Sequence, residues 1–103
     1  MAYKLNVSRE AHQDIDDIVT YITYELKNPK AATGFLDDVE KSYHNVVDNP
    51  FIYALCNESR LRRNGYRKIV IKNYLIFYRV DESENTVFIV RVIYGARDYA
   101  KLL

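Results

Sequence analysis

The chain contains no tryptophan, one cysteine, one methionine, three glycines and two prolines in 103 residues. A lone cysteine, Cys56, excludes an internal disulfide and fits a reducing cytoplasm. Without a second cysteine or clustered histidines it is a poor metal ligand, and its simplest role is that of a small buried hydrophobe. No apolar run approaches the roughly 20 residues needed to span a bilayer, so no membrane partner is expected. The opening MAYKLNVSRE has no apolar stretch of the kind a secretory signal requires. There is no internal repeat, linker or low-complexity segment, so residues 1–103 read as one domain with a single modest core. No G-x-S-x-G, phosphate-binding glycine loop or H-E-x-x-H occurs, and neither a cofactor nor a metal is expected.

What is present is a segregation of charge that the net of +1 conceals. Residues 1–59 carry five Lys/Arg against ten Asp/Glu, and residues 60–103 carry ten against four. Between Ser59 and Val80 stand Arg60, Arg62, Arg63, Arg67, Lys68, Lys72 and Arg79, with no acidic residue among them. Such an imbalance suits an anionic partner, either nucleic acid or an acidic polypeptide. It suits equally an internal neutralisation in which acidic helices face a basic sheet.

Periodicity then gives the elements. YKLNV alternates as a short strand. Ser8 is a good N-cap, Glu10 lies in the first turn, and Ala11, Ile15, Ile18, Val19, Ile22 and Leu26 recur at helical spacing, which predicts a helix from about Arg9 to Lys27. Asn28-Pro29 ends it and opens a second helix with the stripe Ala32, Phe35, Leu36, Val39, Tyr43 and Val46, stopped by Asn49-Pro50. So short a connection requires an antiparallel helical hairpin. Residues 51–65 have no clear period and read as a loop with room for one helical turn. Beyond Gly65, YRKIVI, YLIFYRV and TVFIVRVIY are β-branched and aromatic, separated by KN and DESEN, which fit two-residue and five-residue hairpin connections. The predicted fold is α+β, in the order β-α-α-β-β-β. A four-stranded, mainly antiparallel sheet carries the helical hairpin on one face.

Each of the last three strands carries one arginine among hydrophobic neighbours: Arg67, Arg79 and Arg91. Period-two alternation places Arg79 on the face of Leu75 and Phe77, and Arg91 with Ile89 and Ile93. A single such arginine is satisfied by a carboxylate such as Asp81, Glu82 or Asp98. Taken together with Arg97, the three read as a positive surface on the sheet. Tyrosine is abundant, with Tyr66, Tyr74, Tyr78, Tyr94 and Tyr99 all in the basic half. Arginine interleaved with tyrosine serves phosphate contact with base stacking, and serves a protein–protein hot spot as well, while strand packing alone accounts for several of the rings. Both histidines, His12 and His44, fall on the predicted helices, away from the basic sheet. Metal-free RNA cleavage would therefore rely on arginine for the developing phosphorane charge and on a Tyr, Glu, Asp or Lys to move the protons; Tyr94 and Tyr99 are candidate donors, though weak bases at neutral pH.

The run YRKIVIKNYLIFYRVDESENTVFIVRVIYGARDY resembles the toxins of the RelE/ParE superfamily of bacterial type II toxin–antitoxin modules. The matching features are Arg67, then Tyr74-Leu75-Ile76-Phe77-Tyr78-Arg79-Val80, an acidic turn at Asp81-Glu82, Arg91-Val92, and the closing Tyr94-Gly95-Ala96-Arg97-Asp98. The likeness extends over essentially the whole chain and implies the same β-α-α-β-β-β fold. It further implies a growth-inhibiting toxin held in check by a cognate antitoxin, whose disordered tail brings acidic residues to a basic groove. ParE-like members inhibit DNA gyrase; RelE-like members cut mRNA on the ribosome. Leu75 stands where RelE-like nucleases carry a strand arginine, Tyr94 stands where many members have histidine, and the long helical hairpin is ParE-like. The resemblance thus leans to gyrase, with the ribosome and its mRNA as the alternative target and an inactive binding module as a third reading. It assigns target or antitoxin binding to Arg67, Arg79, Arg91, Tyr94, Arg97 and Tyr99. If the chain is a nuclease, Arg97, Tyr94 and Arg67 are its catalytic candidates. The apolar end, Ala100, Leu102 and Leu103, is expected either to pack back on the sheet or to join that contact.

Overall fold

The computed structural model describes residues 3–103; Met1 and Ala2, the start of the expected domain, lie outside the described residues. The elements run β1 (Lys4–Val7), α1 (Arg9–Thr20), a π-helical turn (Tyr21–Glu25), α2 (Pro29–Asp48), α3 (Ser59–Arg63), β2 (Arg67–Ile71), β3 (Tyr74–Asp81), β4 (Thr86–Tyr94) and α4 (Tyr99–Leu102). The sheet order is β1-β4-β3-β2, with β1 parallel to β4 and the other pairs antiparallel. The α+β architecture and the hairpin on one face are as the sequence predicts.

Local chemistry explains the joints. The Ser8 hydroxyl accepts from the Ala11 amide at 3.0 Å and donates to the Val90 carbonyl at 2.7 Å, so one side chain caps α1 and ties it to β4. The Asn28 side chain accepts from the Ala31 amide at 3.1 Å and Pro29 opens α2. The first helix does not stay α-helical to Lys27 as expected. Its last turn is π-wound, the Leu26 amide reaching the Tyr21 carbonyl at 3.1 Å, and Lys27 takes a left-handed φ of 51°. An extra residue in the turn shifts the phase of the apolar stripe. Leu26, expected in the core, is 56% exposed, and Leu36 on α2 is 42% exposed.

Ala11, Ile22, Phe35, Val39 and Val46 pack against Ile69, Ile76, Tyr78, Ile89 and Val92 to form the main core. Burial of a side chain such as Phe35 contributes about 2–3 kcal/mol. The Tyr78 hydroxyl, fully buried, donates to the Pro50 carbonyl at 2.8 Å and so anchors the loop after α2. On the opposite face Cys56, Leu61, Leu75, Phe77 and Ile93 form a smaller cluster covered by Tyr66, Tyr99, Leu102 and Leu103. The C-terminal residues thus pack back on the sheet, and Cys56 is the buried hydrophobe its isolation suggested.

Two strand details depart from the sequence reading. The pairing of β3 with β4 shifts between Phe77 and Tyr78: Phe77 stands opposite Arg91, but Tyr78 stands opposite Ile89. This bulge puts Arg91 and Ile89 on different faces, so Arg91 keeps only Ile93 of its two expected companions. The β3–β4 connection is four residues, Glu82–Asn85, because Asp81 pairs with Thr86 inside the ladder. The Asp81 carboxylate accepts from the Ser83 hydroxyl at 2.6 Å and the Glu84 amide at 3.2 Å. Those bonds hold its carboxyl below the usual range.

Candidate functional site

The three strand arginines do not share one surface. Arg67 opens β2 opposite Tyr78, on the face of the main core. Its guanidinium donates to the Tyr53 carbonyl at 2.6 Å and lies 5.1 Å from the Phe51 ring centre, clamping the loop after α2. Arg91 is drawn the other way. Its Nε and Nη2 donate to Asp14 Oδ2 and Oδ1 at 2.7 and 2.9 Å, and the Val92 amide donates to Oδ2 at 2.9 Å. The partner is thus an α1 carboxylate rather than Asp81, Glu82 or Asp98, and the fork raises the Arg91 pKa further through the hydrogen bonds to Asp14. Of the three, Arg79 alone is exposed, lying 5.4 Å over the Tyr66 ring.

Tyr99 lies on the small-cluster face. Its ring packs on Phe77 with centres 5.0 Å apart, and the Lys68 ammonium is 5.9 Å from the ring centre. Lys68, Phe77 and Arg91 form one row across β2, β3 and β4, with the apolar Phe77 in the middle. An Arg60 guanidinium nitrogen donates to the Ala100 carbonyl and Arg91 Nη1 to the Leu102 carbonyl at 3.5 Å, so α4 is held along this row. Both histidines are exposed on the helices, as expected from their spacing.

Tyr94 and Arg97 come together elsewhere, at the sheet end where β4 leaves the ladder. The Gly95 amide donates to the Asn73 carbonyl at 2.7 Å and the Arg97 amide to the Tyr94 carbonyl at 3.0 Å. A Cβ at Gly95 would stand 3.2 Å from that Asn73 oxygen, so glycine permits the close approach of the closing turn to the β2–β3 turn. Tyr94 and Arg97 then line a groove of about 600 Å³ with Asp17, Tyr21, Leu26 and Tyr74. Tyr74 is gripped edge-on by Phe35 at 5.2 Å and by Tyr94 at 5.7 Å. Burial raises its pKa, helped by the neighbouring Tyr21 and Tyr94 hydroxyls. Sequence reading missed Tyr21, Leu26 and Tyr74 as members of this group. Leu26 was masked by its place in the helical stripe, and nothing local announces a π turn.

Among the described residues no group of three or more His, Cys, Asp or Glu side chains could hold a metal ion, and no helix is long and apolar enough to cross a membrane.

The chain matches the family described as ParE toxin of type II toxin-antitoxin system, parDE, over residues 5–99. It is 31% identical over 97 residues to Toxin ParE1 of Mycobacterium tuberculosis, in strains CDC 1551 and H37Rv, spanning 93% of this chain and 91% of that protein. Its fold is similar to that in the chromosomal ParDE TA system from P. aeruginosa, with a TM-score of 0.70 at 18% identity over 90% of this chain and 96% of that one. It is similar also to a free variant of the E. coli toxin RelE, at 0.70 and 17% identity over 99% and 93%.

Proposed function

This chain belongs to the ParE toxin family of type II toxin–antitoxin systems, and we propose that it arrests growth by binding and inhibiting DNA gyrase, under the control of a cognate antitoxin. The observation that carries this reading is the filling of the sheet face. Phe77 occupies the centre of the Lys68–Phe77–Arg91 row, and Tyr99, Leu102 and Leu103 cover it. A nuclease needs a cation beside a group able to move a proton, and both must reach the phosphate. Here one cation of the row is committed to Asp14, the centre is apolar, and both histidines lie on the exposed sides of the helices. Such a face supports binding better than cleavage.

The antitoxin reading draws on charge. Arg62, Arg63 and Arg79 are exposed within a stretch that has no acidic residue between Ser59 and Val80. An acidic tail ordering on the protein is matched to that surface. Among the sequence candidates, the exposure of Arg79, Tyr94 and Arg97 and the half-buried edge of Tyr99 support contact with a partner, while the contacts of Arg67 and Arg91 favour a role through the loop and helix they hold.

The test is inducible expression of the chain with transcript 5′-end mapping in the same cells, beside a supercoiling assay with purified gyrase and purified chain. Growth arrest with intact mRNA and loss of supercoiling is the expected result. New 5′ ends inside translated codons would replace this reading with ribosome-dependent mRNA cleavage. A soluble chain that permits normal growth would replace it with an inactive binding module.

A further inference from the structure

We propose that the tyrosine groove at the sheet end, formed by Tyr21, Tyr74 and Tyr94 between Asp17 and Arg97, is where this toxin grips its protein target. It would take a bulky apolar side chain of the target flanked by a carboxylate that meets Arg97. The inference rests on the reading of the chain as a toxin that acts by binding, and adds to it the surface used and the chemistry of what enters.

Three observations converge on this groove. The first is exposed apolar surface with no structural need. Tyr21 is 49%, Leu26 56% and Tyr94 45% exposed, and the same π turn leaves Tyr24 72% exposed. Rings that only packed the hairpin end would be turned inward, and the π winding instead presents them outward. The second is rigidity. Tyr74 is fixed between Phe35 and Tyr94, and the turn carrying Tyr94 and Arg97 is tied to Asn73 through Gly95, so the groove is formed before anything enters it. Aromatic rings and an arginine around a preformed recess are the composition of a binding hot spot.

The third is charge. Asp17 and Arg97 line the same groove yet make no ion pair, and Asp17 Oδ1 instead accepts from Gln13 Nε2 at 2.8 Å. Arg97 has no carboxylate partner among the described residues. An arginine left unpaired beside an apolar recess is complementary to a partner with a carboxylate next to its anchor. A nucleic-acid backbone fits less well, because Asp17 of α1, which lines the groove, would face its phosphates. The acidic antitoxin tail is matched to the stretch from Ser59 to Val80, which has no acidic residue and exposes Arg62, Arg63 and Arg79, rather than to this rim of mixed sign.

The test compares the wild-type chain with a Tyr21→Ser/Tyr94→Ser double variant, Arg97→Glu, and Glu84→Ala in the exposed β3–β4 turn as a control at the other end of the sheet. Each is checked for folding by circular dichroism and thermal melting. Growth arrest on induction is the first readout, because it does not depend on the identity of the target; inhibition of purified gyrase and 5′-end mapping are the second and third. The groove variants are expected to raise the concentration needed for arrest and inhibition by about ten-fold or more, as hot-spot truncations do, with Glu84→Ala within about two-fold. A folded double variant that arrests growth as the wild type does would overturn the proposal. So would arrest accompanied by cleaved mRNA, since the groove would then not serve a protein target. Arrest by the wild type with gyrase unaffected would remove gyrase as the target, while loss of arrest in the groove variants would still support the groove.

Discussion

Arg91 shows how one residue changes meaning between sequence and structure. Read along the strand it is a free cation on a sheet; in the fold it is half of an ion pair with Asp14, whose side chains are 23% and 14% exposed respectively. Asp14 accepts from three donors, Arg91 Nε, Arg91 Nη2 and the Val92 amide. Removing the acceptor leaves a half-buried guanidinium with only its long contact to the Leu102 carbonyl and a strand amide with no partner, whereas removing the donor leaves the carboxylate still bonded to Val92. Asp14→Ala is therefore expected to lower stability by about 2–3 kcal/mol and Arg91→Met by about 1–2 kcal/mol. Urea unfolding of the two variants checks this, and equal losses would contradict the asymmetry. If the ion pair serves only to hold α1 on β4, gyrase inhibition by folded Arg91→Met should match the wild type.

At the scale of elements, the closing turn and the sheet end act as one unit. Gly95 sits where a methyl group would stand 3.2 Å from the Asn73 carbonyl oxygen, and its own amide bonds that oxygen. Gly95→Ala should push the two turns apart at a cost of about 1 kcal/mol or more. It should also weaken growth arrest by displacing Tyr94 and Arg97, while leaving the cooperativity of unfolding unchanged. Chemical-shift changes confined to residues around Asn73 and Tyr94 would show the displacement directly. The loop after α2 offers a second case. Tyr78→Phe removes the bond to the Pro50 carbonyl and nothing else of its packing, so a loss of about 1 kcal/mol is expected in the same unfolding assay. By sequence, Tyr78 is one of five tyrosines in the basic half, with strand packing enough to account for several of them. The fold buries it completely within the main core, where its hydroxyl meets the Pro50 carbonyl.

For the molecule as a whole, buried phenols set an alkaline limit. Tyr43 and Tyr78 are both pushed up from 10.0 to about 12 by burial. A folded-state pKa above the unfolded one favours the folded state below the unfolded pKa, and that contribution is lost as pH rises through the folded value. Stability should therefore be constant with respect to these groups up to about pH 10 and fall between about pH 10 and pH 12. For the fully buried Tyr78 the loss is on the order of 2 kcal/mol. Unfolding midpoints across this range, with phenolate absorbance followed in parallel, check the sign. Stability that rose with pH there would refute it. The Tyr43 hydroxyl has no hydrogen-bond partner among the described residues, so Tyr43→Phe should keep or raise stability at neutral pH and soften the alkaline fall.

The sequence by itself determined the order of the four strands and two long helices, the hairpin and its caps, the two-residue turn at Lys72-Asn73, and the split between an acidic and a basic half. Each of these depends on residues within a helical turn or a strand repeat of one another, where sterics and capping bonds act locally. Tertiary structure alone decided that Arg91 meets Asp14, 77 positions away, that a bulge separates Arg91 from Ile89, and that Phe77 lies under Tyr99. It alone brought Tyr21, Tyr74 and Tyr94 from three elements to one groove. Those contacts follow from register, from a one-residue change of winding and from the way two faces close. They are differences of a few kcal/mol between whole arrangements of the chain, which no single stretch of sequence carries.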